Sequence, residues 1–252
     1  MKRIITHNSP DLDAITSVWL LKRFLSGWEE AELGFVFAGQ RLEGEYEKQV
    51  DKSQGKESST VEIIDGIETI HVDTGMGALD HHQIQDRETC AAKITLDYIK
   101  NSQKNKLTAN KHKTDAVGRI VDLIVDNDQF QDIFMPDPMS DFYEMSLQGI
   151  TDGYKMRHPG LDLQCAAYIM DCLDNILHNF ENRLWAEEEI REKGREFNTR
   201  WGKSLAVETQ NDDILKLAQK QGYAVVVRKD PNNGKLRIKA RPLKRQKYTK
   251  TD

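Results

Sequence analysis

Apolar and polar positions alternate in blocks along the first two thirds of the chain, and the blocks predict strands and helices in turn. "KRIIT", "LGFVFAG" and "ETIHVD" are short apolar runs typical of buried strands. Helical periodicity follows in "SPDLDAITSVWLLKRFLSG", "CAAKITLDYIK" and "DAVGRIVDLIV". In the first of these helices, Ser9 is expected to cap the start, Pro10 to lie in the first turn and Gly27 to end it. The alternation predicts an α/β fold, with a mostly parallel sheet flanked by helices and ligands at the C-terminal ends of the strands.

Beyond residue 160 the pattern changes. "LDLQCAAYIMDCLDNILHNFENRLWAEEEIREKGREF" has apolar residues at three- and four-residue spacing, which predicts a long helical linker. "YAVVVRKDPNNGKLRIKARP" predicts a β-hairpin, with an apolar strand, a turn carrying Pro231, Asn233 and Gly234, and an alternating strand. We therefore expect two domains, with boundaries 1–160 and 161–252, the second a helical linker plus a smaller α+β part.

Composition limits the class of protein. At 252 residues and 38% hydrophobic content, the chain is long enough to bury a real core. No apolar run approaches the roughly 20 residues of a membrane helix, and the N-terminus lacks the apolar block of a signal peptide. The three cysteines form no CxxC pair, which favours buried thiols over disulfides or a zinc ribbon. These features predict a cytoplasmic globular protein without membrane association.

Charge is distributed unevenly. Residues 216–252 hold 12 Lys+Arg and 2 Asp+Glu, a net charge of +10, which leaves −15 for residues 1–215. In the alternating strand of the predicted hairpin, one side carries four cations: Lys235, Arg237, Lys239 and Arg241. Such a basic face is suited to binding a polyanion such as RNA. A solvated, partly disordered terminus explains the charge equally well.

Candidate metal ligands first occur in "THNSPDLDAITS". His7, Asp11 and Asp13 lie between the first predicted strand and the first helix, where side chains project from the strand's C-terminal end. Carboxylate and imidazole together suit manganese or iron, and zinc less specifically. The alternative is helix capping, since acids in the first turn stabilise a helix by about 0.3–1 kcal/mol without any metal.

A second candidate stretch is "IHVDTGMGALDHHQ". Asp73 ends an apolar strand and is followed by Gly75 and Gly77, so its carboxylate could bridge two ions at the same sheet edge. Asp80, His81 and His82 return to that edge seven residues later. They offer an imidazole ligand and a second ring for substrate binding or proton transfer. We interpret His71 as structural.

The third stretch is "VDLIVDNDQF", in which Asp122, Asp126 and Asp128 compete for one role. Acids at a helix C-terminus are unfavourable, and a metal ion would supply the missing counter-charge. Solvated acids at a helix end remain the alternative.

Taken in order, "HNSPDLDA", "VDTG" and "DHH" resemble the motifs of the DHH phosphoesterase superfamily, which includes RecJ-type exonucleases, nanoRNases, cyclic-dinucleotide phosphodiesterases and family II pyrophosphatases. "DHHQ", "VDLIVDN", the Trp-containing helical linker and the basic hairpin are similar to the melanocyte-proliferating-gene branch of metal-dependent 3′–5′ RNA exonucleases. The separation of Asp73 from Asp80 is shorter than in the superfamily pattern, and no GGGH motif follows.

The resemblance implies two divalent metal ions, most readily Mn²⁺. One ion would be bound by His7, Asp11 and Asp73. The other would be bound by Asp13, Asp73, His81 and Asp126, which selects Asp126 from the three competing acids because "VDN" matches the family pattern.

The resemblance also implies hydrolysis of phosphodiester bonds, with a 3′–5′ exonuclease acting on RNA or short oligonucleotides as the expected activity. His82 would contact the scissile phosphate, and Asp80 would orient His81. Two alternatives stay open. The same metals could serve a small nucleotide or pyrophosphate, or the protein could bind nucleic acid through the basic hairpin around a purely structural metal site.

Overall fold

The chain folds into two units, Met1–Leu177 and His178–Asp252. The computed structural model describes residues 1–44, 46–47, 60–107 and 110–243. The division lies inside a long helix and not at residue 160, where the composition changes. The first half of that helix belongs to the first unit because Asp174 on it accepts hydrogen bonds from the Trp19 indole (2.8 Å) and the Arg23 guanidinium (2.9 Å).

The sheet of the first unit has five strands: β1 (Lys2–His7), β2 (Glu32–Val36), β3 (Tyr46–Glu47), β4 (Glu62–Ile64) and β5 (Ile67–His71). Their order is β2-β1-β5-β4-β3. β1 pairs in parallel with β2 and β5, whereas β4 pairs antiparallel with β5 and β3. The expected parallel sheet is thus confirmed for three strands only. β4 and β5 instead form a hairpin, whose turn at Asp65 and Gly66 has two left-handed residues, as a tight hairpin turn requires.

Five helices accompany this sheet: α1 (Leu12–Phe24), α2 (Ala91–Asn101), α3 (Lys111–Asp128), α4 (Leu147–Arg157) and α5 (Asp162–Lys193). α1 begins one residue after Asp11, which caps it by accepting the Ala14 N–H at 2.9 Å. The expected cap, Ser9, lies two residues before Asp11 in a left-handed conformation and does not cap the helix. α1 is buried along almost its whole length, Trp19 completely.

The second unit has a four-stranded sheet made of β6 (Arg195–Thr199), β7 (Gly202–Glu208), β8 (Val225–Lys229) and β9 (Leu236–Ala240), in that order, with α6 (Ile214–Lys220) between β7 and β8. The predicted hairpin is confirmed as the antiparallel pair β8–β9. The core of this unit joins the sheet to α6 and to Ala186 of α5. The protein is therefore a mixed α/β fold.

Two further sequence expectations concern cysteines and membrane segments. Cys90 and Cys165 are buried free thiols, as expected, while Cys172 is only half-buried. None of the helices within the described ranges is long and apolar enough to cross a membrane.

Candidate metal centre

The candidate centre lies at the C-terminal ends of β1 and β5, which are neighbours in the parallel part of the sheet. His7 is the last residue of β1, and Asp73 follows β5 by two residues. The loop after Asp73 returns to the same edge, because the Asp73 N–H donates to the Leu79 carbonyl at 3.0 Å. The short separation of Asp73 from Asp80 is therefore compatible with placing both at one site.

Asp73 is at the middle of the cluster. Its backbone has a left-handed φ of 52°, and its side chain is 2% exposed. One carboxylate oxygen, Oδ2, lies 3.3 Å from His7 Nε2, and the other, Oδ1, lies 3.5 Å from His81 Nε2. Oδ1 has no hydrogen-bond partner among the described residues. A buried carboxylate oxygen without a partner is costly, and a bound cation would satisfy it.

His7 and Asp11 form one ligand group with Asp73. The His7 Nδ1–H donates to the Asn8 carbonyl at 2.9 Å, which leaves Nε2 facing the two carboxylates. Burial opposes protonation of His7, but the hydrogen bonds that its ring donates to Asp73 and to the Asn8 carbonyl, together with the charges of Asp11 and Asp73, outweigh burial and raise the pKa of His7 to about 9. The site thus attracts positive charge at Nε2, as a proton or as a metal ion.

Asp13, His81 and Asp128 form a second group of potential ligands, and Asp73, His81 and His82 form a third. Burial raises the pKa of Asp13 well above its usual range, and the charge of Asp73 adds to the effect. His81 lies between the acids of the second group. Its Nε2 is 3.9 Å from Asp13 Oδ2, and its Nδ1 is 3.6 Å from Asp128 Oδ2.

The start of α2 fixes the Asp13 carboxylate. The backbone N–H groups of Ala91 and Ala92 donate to its two oxygens at 2.8 and 2.7 Å, and the buried Cys90 thiol also hydrogen-bonds to it. The positive end of a helix dipole stabilises an anion in this place. The sequence shows a helix beginning at "CAAK" but contains nothing that pairs it with Asp13.

The acid that meets His81 is Asp128 and not Asp126, which corrects the choice made from the sequence. α3 continues through Asp128, and two residues on a helix point about 200° apart, so the two acids face opposite ways. Asp128 extends the buried stripe of Val121 and Ile124 by one turn. Asp126 belongs to none of the His and acid groups in the described part of the chain. Gln129 holds Asp128 through a side-chain hydrogen bond of 2.9 Å.

Asp80 orients His82 instead of His81, a second correction. Asp80 is 1% exposed and lies 2.6 Å from His82 Nδ1, and it accepts the backbone N–H groups of Met76 and His82 at 2.6 and 3.0 Å. Burial alone would raise the pKa of Asp80, but these hydrogen bonds lower it. Burial disfavours the protonated form of His82, yet its bond to Asp80 and the charge of Asp73 raise the pKa of His82. The His82 ring is 60% exposed, so it is presented to solvent with a buried anion behind it.

A brace that the sequence did not reveal supports the Asp73 loop. Arg41 donates to the Gly75 carbonyl at 3.1 Å and also contacts Glu62, which lies 3.0 Å from His71 Nδ1. His71 Nε2 accepts the Leu42 N–H at 3.1 Å, so both ring nitrogens of His71 are used in holding the structure. A Cβ atom at Gly75 would lie 2.5 Å from Arg41 Cγ, which explains why this position is a glycine.

The four cations predicted to bind substrate lie on or beside β9 in the second unit. All four are exposed, namely Lys235, Arg237, Lys239 and Arg241. Arg237 is not free, because it forms an ion pair with Asp212. Arg237 and Lys239 pair with Arg228 and Val226 of β8, whose side chains are buried on the α6 side of the sheet.

Comparisons with known proteins give no family. No family model and no curated protein matches the chain. A solved structure of an uncharacterized protein from Helicobacter pylori G27 is similar at 12% identity and a TM-score of 0.30, over 91% of this chain and 83% of that one. A likeness at that level carries no argument about fold or function, so the case for a function rests on the site itself.

Proposed function

We propose that the protein is a divalent-metal-dependent phosphoesterase that hydrolyses phosphodiester bonds, acting as a 3′–5′ exonuclease on RNA or short oligonucleotides. The observation that carries the proposal is the Asp73 carboxylate. It is buried, its two oxygens face two different ligand groups, and one of those oxygens has no hydrogen-bond partner among the described residues. A carboxylate in this arrangement suits two neighbouring cations better than one.

The donor distances support the metal assignment. Ligand atoms bound to one ion at roughly 2.1 Å lie about 3–3.5 Å apart. The pairs that Asp73 forms with His7 (3.3 Å) and His81 (3.5 Å) are in this range. The donors are carboxylates and imidazoles without a thiolate, a set that suits Mn²⁺. Cys90 is close to Asp13, but it belongs to none of the potential ligand groups in the described part of the chain.

Two divalent ions held by these groups would activate water, hold the nonbridging phosphate oxygens and neutralise charge on the leaving oxygen. The residues of the chain have separate tasks. Asp73 would join the two groups, and the N–H groups at the N-terminus of α2 would hold the Asp13 carboxylate in place. Asp128 would orient His81 through Nδ1, leaving Nε2 for a metal. The exposed His82, with Asp80 behind it, is placed to donate a charge-assisted hydrogen bond to a phosphate oxygen.

The proposal is tested by incubating RNA and DNA 12-mers, labelled at either end, with the protein and Mn²⁺. We expect the RNA to be shortened successively from its 3′ end. A chelator should abolish this activity, and added Mn²⁺ should restore it. Asp73→Asn should abolish it, while Asp126→Asn, an acid outside the cluster, serves as the matched control. If only a cyclic dinucleotide or pyrophosphate were cleaved, that compound would replace the oligonucleotide as the proposed substrate. Failure to hydrolyse any phosphate ester would refute the enzyme assignment.

A further inference from the structure

Within the described part of the second unit, helices pack against one face of the sheet. Leu205, Val207 and Val226 point to α6 and form the core with it. Side chains alternate along a strand, so the neighbours of these residues point to the opposite face. This open face consists of residues matched in register across the strands: Arg195, Phe197 and Thr199 on β6, Ser204, Ala206 and Glu208 on β7, Val225, Val227 and Lys229 on β8, and Leu236, Ile238 and Ala240 on β9.

The open face is apolar and accessible at its β9 side. Leu236 and Ile238 are 61% and 64% exposed. Two depressions of about 760 and 470 Å³ lie on this face, the first over Ala206, Val227 and Leu236 and the second over Val225 and Ile238. Large apolar side chains left exposed together mark a binding surface more often than a free one.

The size of the open face argues against a second copy of the chain as its occupant. Four strands about 4.8 Å apart and five to seven residues long cover on the order of 350 Å². A stable protein interface needs roughly 800 Å² on each partner. A single extended strand needs much less area, because its contacts follow a line.

Aromatic side chains lie at one side of the open face. Trp201, in the β6–β7 turn, is 66% exposed and lines the smaller depression together with Ile238. Phe197 is 38% exposed and is paired in register with Ser204 of β7. The Arg200 guanidinium lies 4.3 Å from the Trp201 ring centre. Nucleic-acid bases stack on aromatic rings and on guanidinium planes in this kind of setting.

The cations around the open face are free to bind phosphate. Three arginines flank the open face: Arg195 on β6, Arg200 in the β6–β7 turn and Arg241 after β9. None of the three makes an ion pair with a described residue. Lys229, on the same face, is neutralised by Glu208 at 3.1 Å. The arginines therefore give the rim of an apolar surface an uncompensated positive charge, which is complementary to a phosphate backbone.

We infer that the open face of the β6–β9 sheet binds single-stranded nucleic acid. The bases lie on Trp201, Phe197 and the aliphatic floor, and the phosphates are held by Arg195, Arg200 and Arg241. The inference deepens the proposed function and rests on it for the nature of the strand. It places the strand on the face opposite to Arg237 and Lys239, two of the four cations that the sequence pattern favoured, and keeps a third, Arg241, which follows β9.

Binding is measured with the full chain, a fluorescein-labelled uridine 12-mer and excess chelator, so that hydrolysis does not contribute. Trp201→Ala is expected to weaken affinity about 5- to 100-fold, and Trp201→Phe to restore most of it, because stacking survives the exchange. The triple variant Arg195→Ser, Arg200→Ser and Arg241→Ser should flatten the slope of log affinity against log salt by about 2.

The control is a matched triple variant, Lys220→Ser, Lys235→Ser and Lys239→Ser. It also removes three positive charges, but from positions that do not lie on the open face. It should retain affinity within about threefold. Thermal unfolding and sedimentation of each variant accompany the binding data. Unchanged affinity in Trp201→Ala and in the arginine triple would overturn the inference, as would a larger loss in the lysine triple. A dimer that Trp201→Ala dissociates, or binding to neutral and anionic vesicles in preference to RNA, would overturn it in favour of another occupant.

The outcome for this face is distinguishable from the outcome for the metal centre. If Mn²⁺-dependent cleavage of a dinucleotide persists in a protein that does not bind the 12-mer, the inference fails and the proposed function stands. If the 12-mer binds through Trp201 but no phosphodiester is hydrolysed, the inference is supported and the enzyme assignment fails.

Discussion

Replacing Asp128 with asparagine removes one charge from the metal cluster at nearly constant size. Asp128 Oδ2 lies 3.6 Å from His81 Nδ1, so the carboxylate is placed to orient the ring with Nε2 towards the other acids of the cluster. Loss of a carboxylate that supports a ligand histidine lowers metal affinity about 10- to 100-fold, or roughly 1.4–2.8 kcal/mol at 1.4 kcal/mol per decade. We expect Asp128→Asn to weaken Mn²⁺ binding by this factor.

Asp126→Asn is the matched variant, since it removes an acid from the same helix turn on the opposite face. It should change Mn²⁺ affinity less than about twofold, as is usual for a surface charge away from the site. Isothermal titration with Mn²⁺ measures both variants, and hydrolysis at saturating Mn²⁺ shows how far Asp128→Asn is rescued. If Asp126→Asn weakened binding as much as Asp128→Asn, the assignment drawn from the His81 contact would be refuted.

Two further substitutions test the supports of the site. Gly75→Ala is expected to lower the melting temperature more than Gly66→Ala, and only Gly75→Ala should weaken Mn²⁺ binding. Both glycines have a left-handed φ, and an alanine held in that conformation costs about 1–2 kcal/mol of stability. Only at Gly75 would the added Cβ atom also collide with Arg41. Equal effects would show that the brace is unimportant. Asp80→Asn should reduce kcat about 10²–10³-fold, the usual effect of losing one hydrogen-bond donor to developing negative charge, because His82 would no longer be oriented, while Mn²⁺ affinity stays nearly unchanged. A loss confined to Mn²⁺ affinity would instead make Asp80 part of the metal site.

The sequence was sufficient to bring His7, Asp13 and Asp73 together. His7 ends the first strand, and Asp73 follows β5 by two residues. Asp13 lies in the first turn of the helix that follows the first strand. Parallel neighbouring strands end at one edge of a sheet, so local patterns were enough to place these side chains. The β4–β5 hairpin did not disturb this, because it extends the sheet on the other side of β5.

Other parts of the candidate site depend on where a helix ends and on contacts between residues that are far apart in the sequence. The choice between Asp126 and Asp128 depends on α3 extending through residue 128, and a two-residue difference reverses the direction of the side chain. Arg41 supports the Asp73 loop by contacting Gly75, which lies 34 residues away in the sequence. Cys90 hydrogen-bonds to Asp13, which lies 77 residues away. No local pattern predicts such contacts. Likewise, alternation in β9 defined two faces but could not show which one α6 covers.

The central claim, that Asp73 joins two metal ions, is tested most directly by manganese titration followed by electron paramagnetic resonance. Ions sharing a bridging carboxylate lie about 3.5–4 Å apart and are magnetically coupled. The account predicts two Mn²⁺ per chain with a coupled spectrum in the parent protein, and loss of the coupling together with at least one ion in Asp73→Asn. Two coupled ions retained in Asp73→Asn, or a single uncoupled ion in the parent protein, would contradict it.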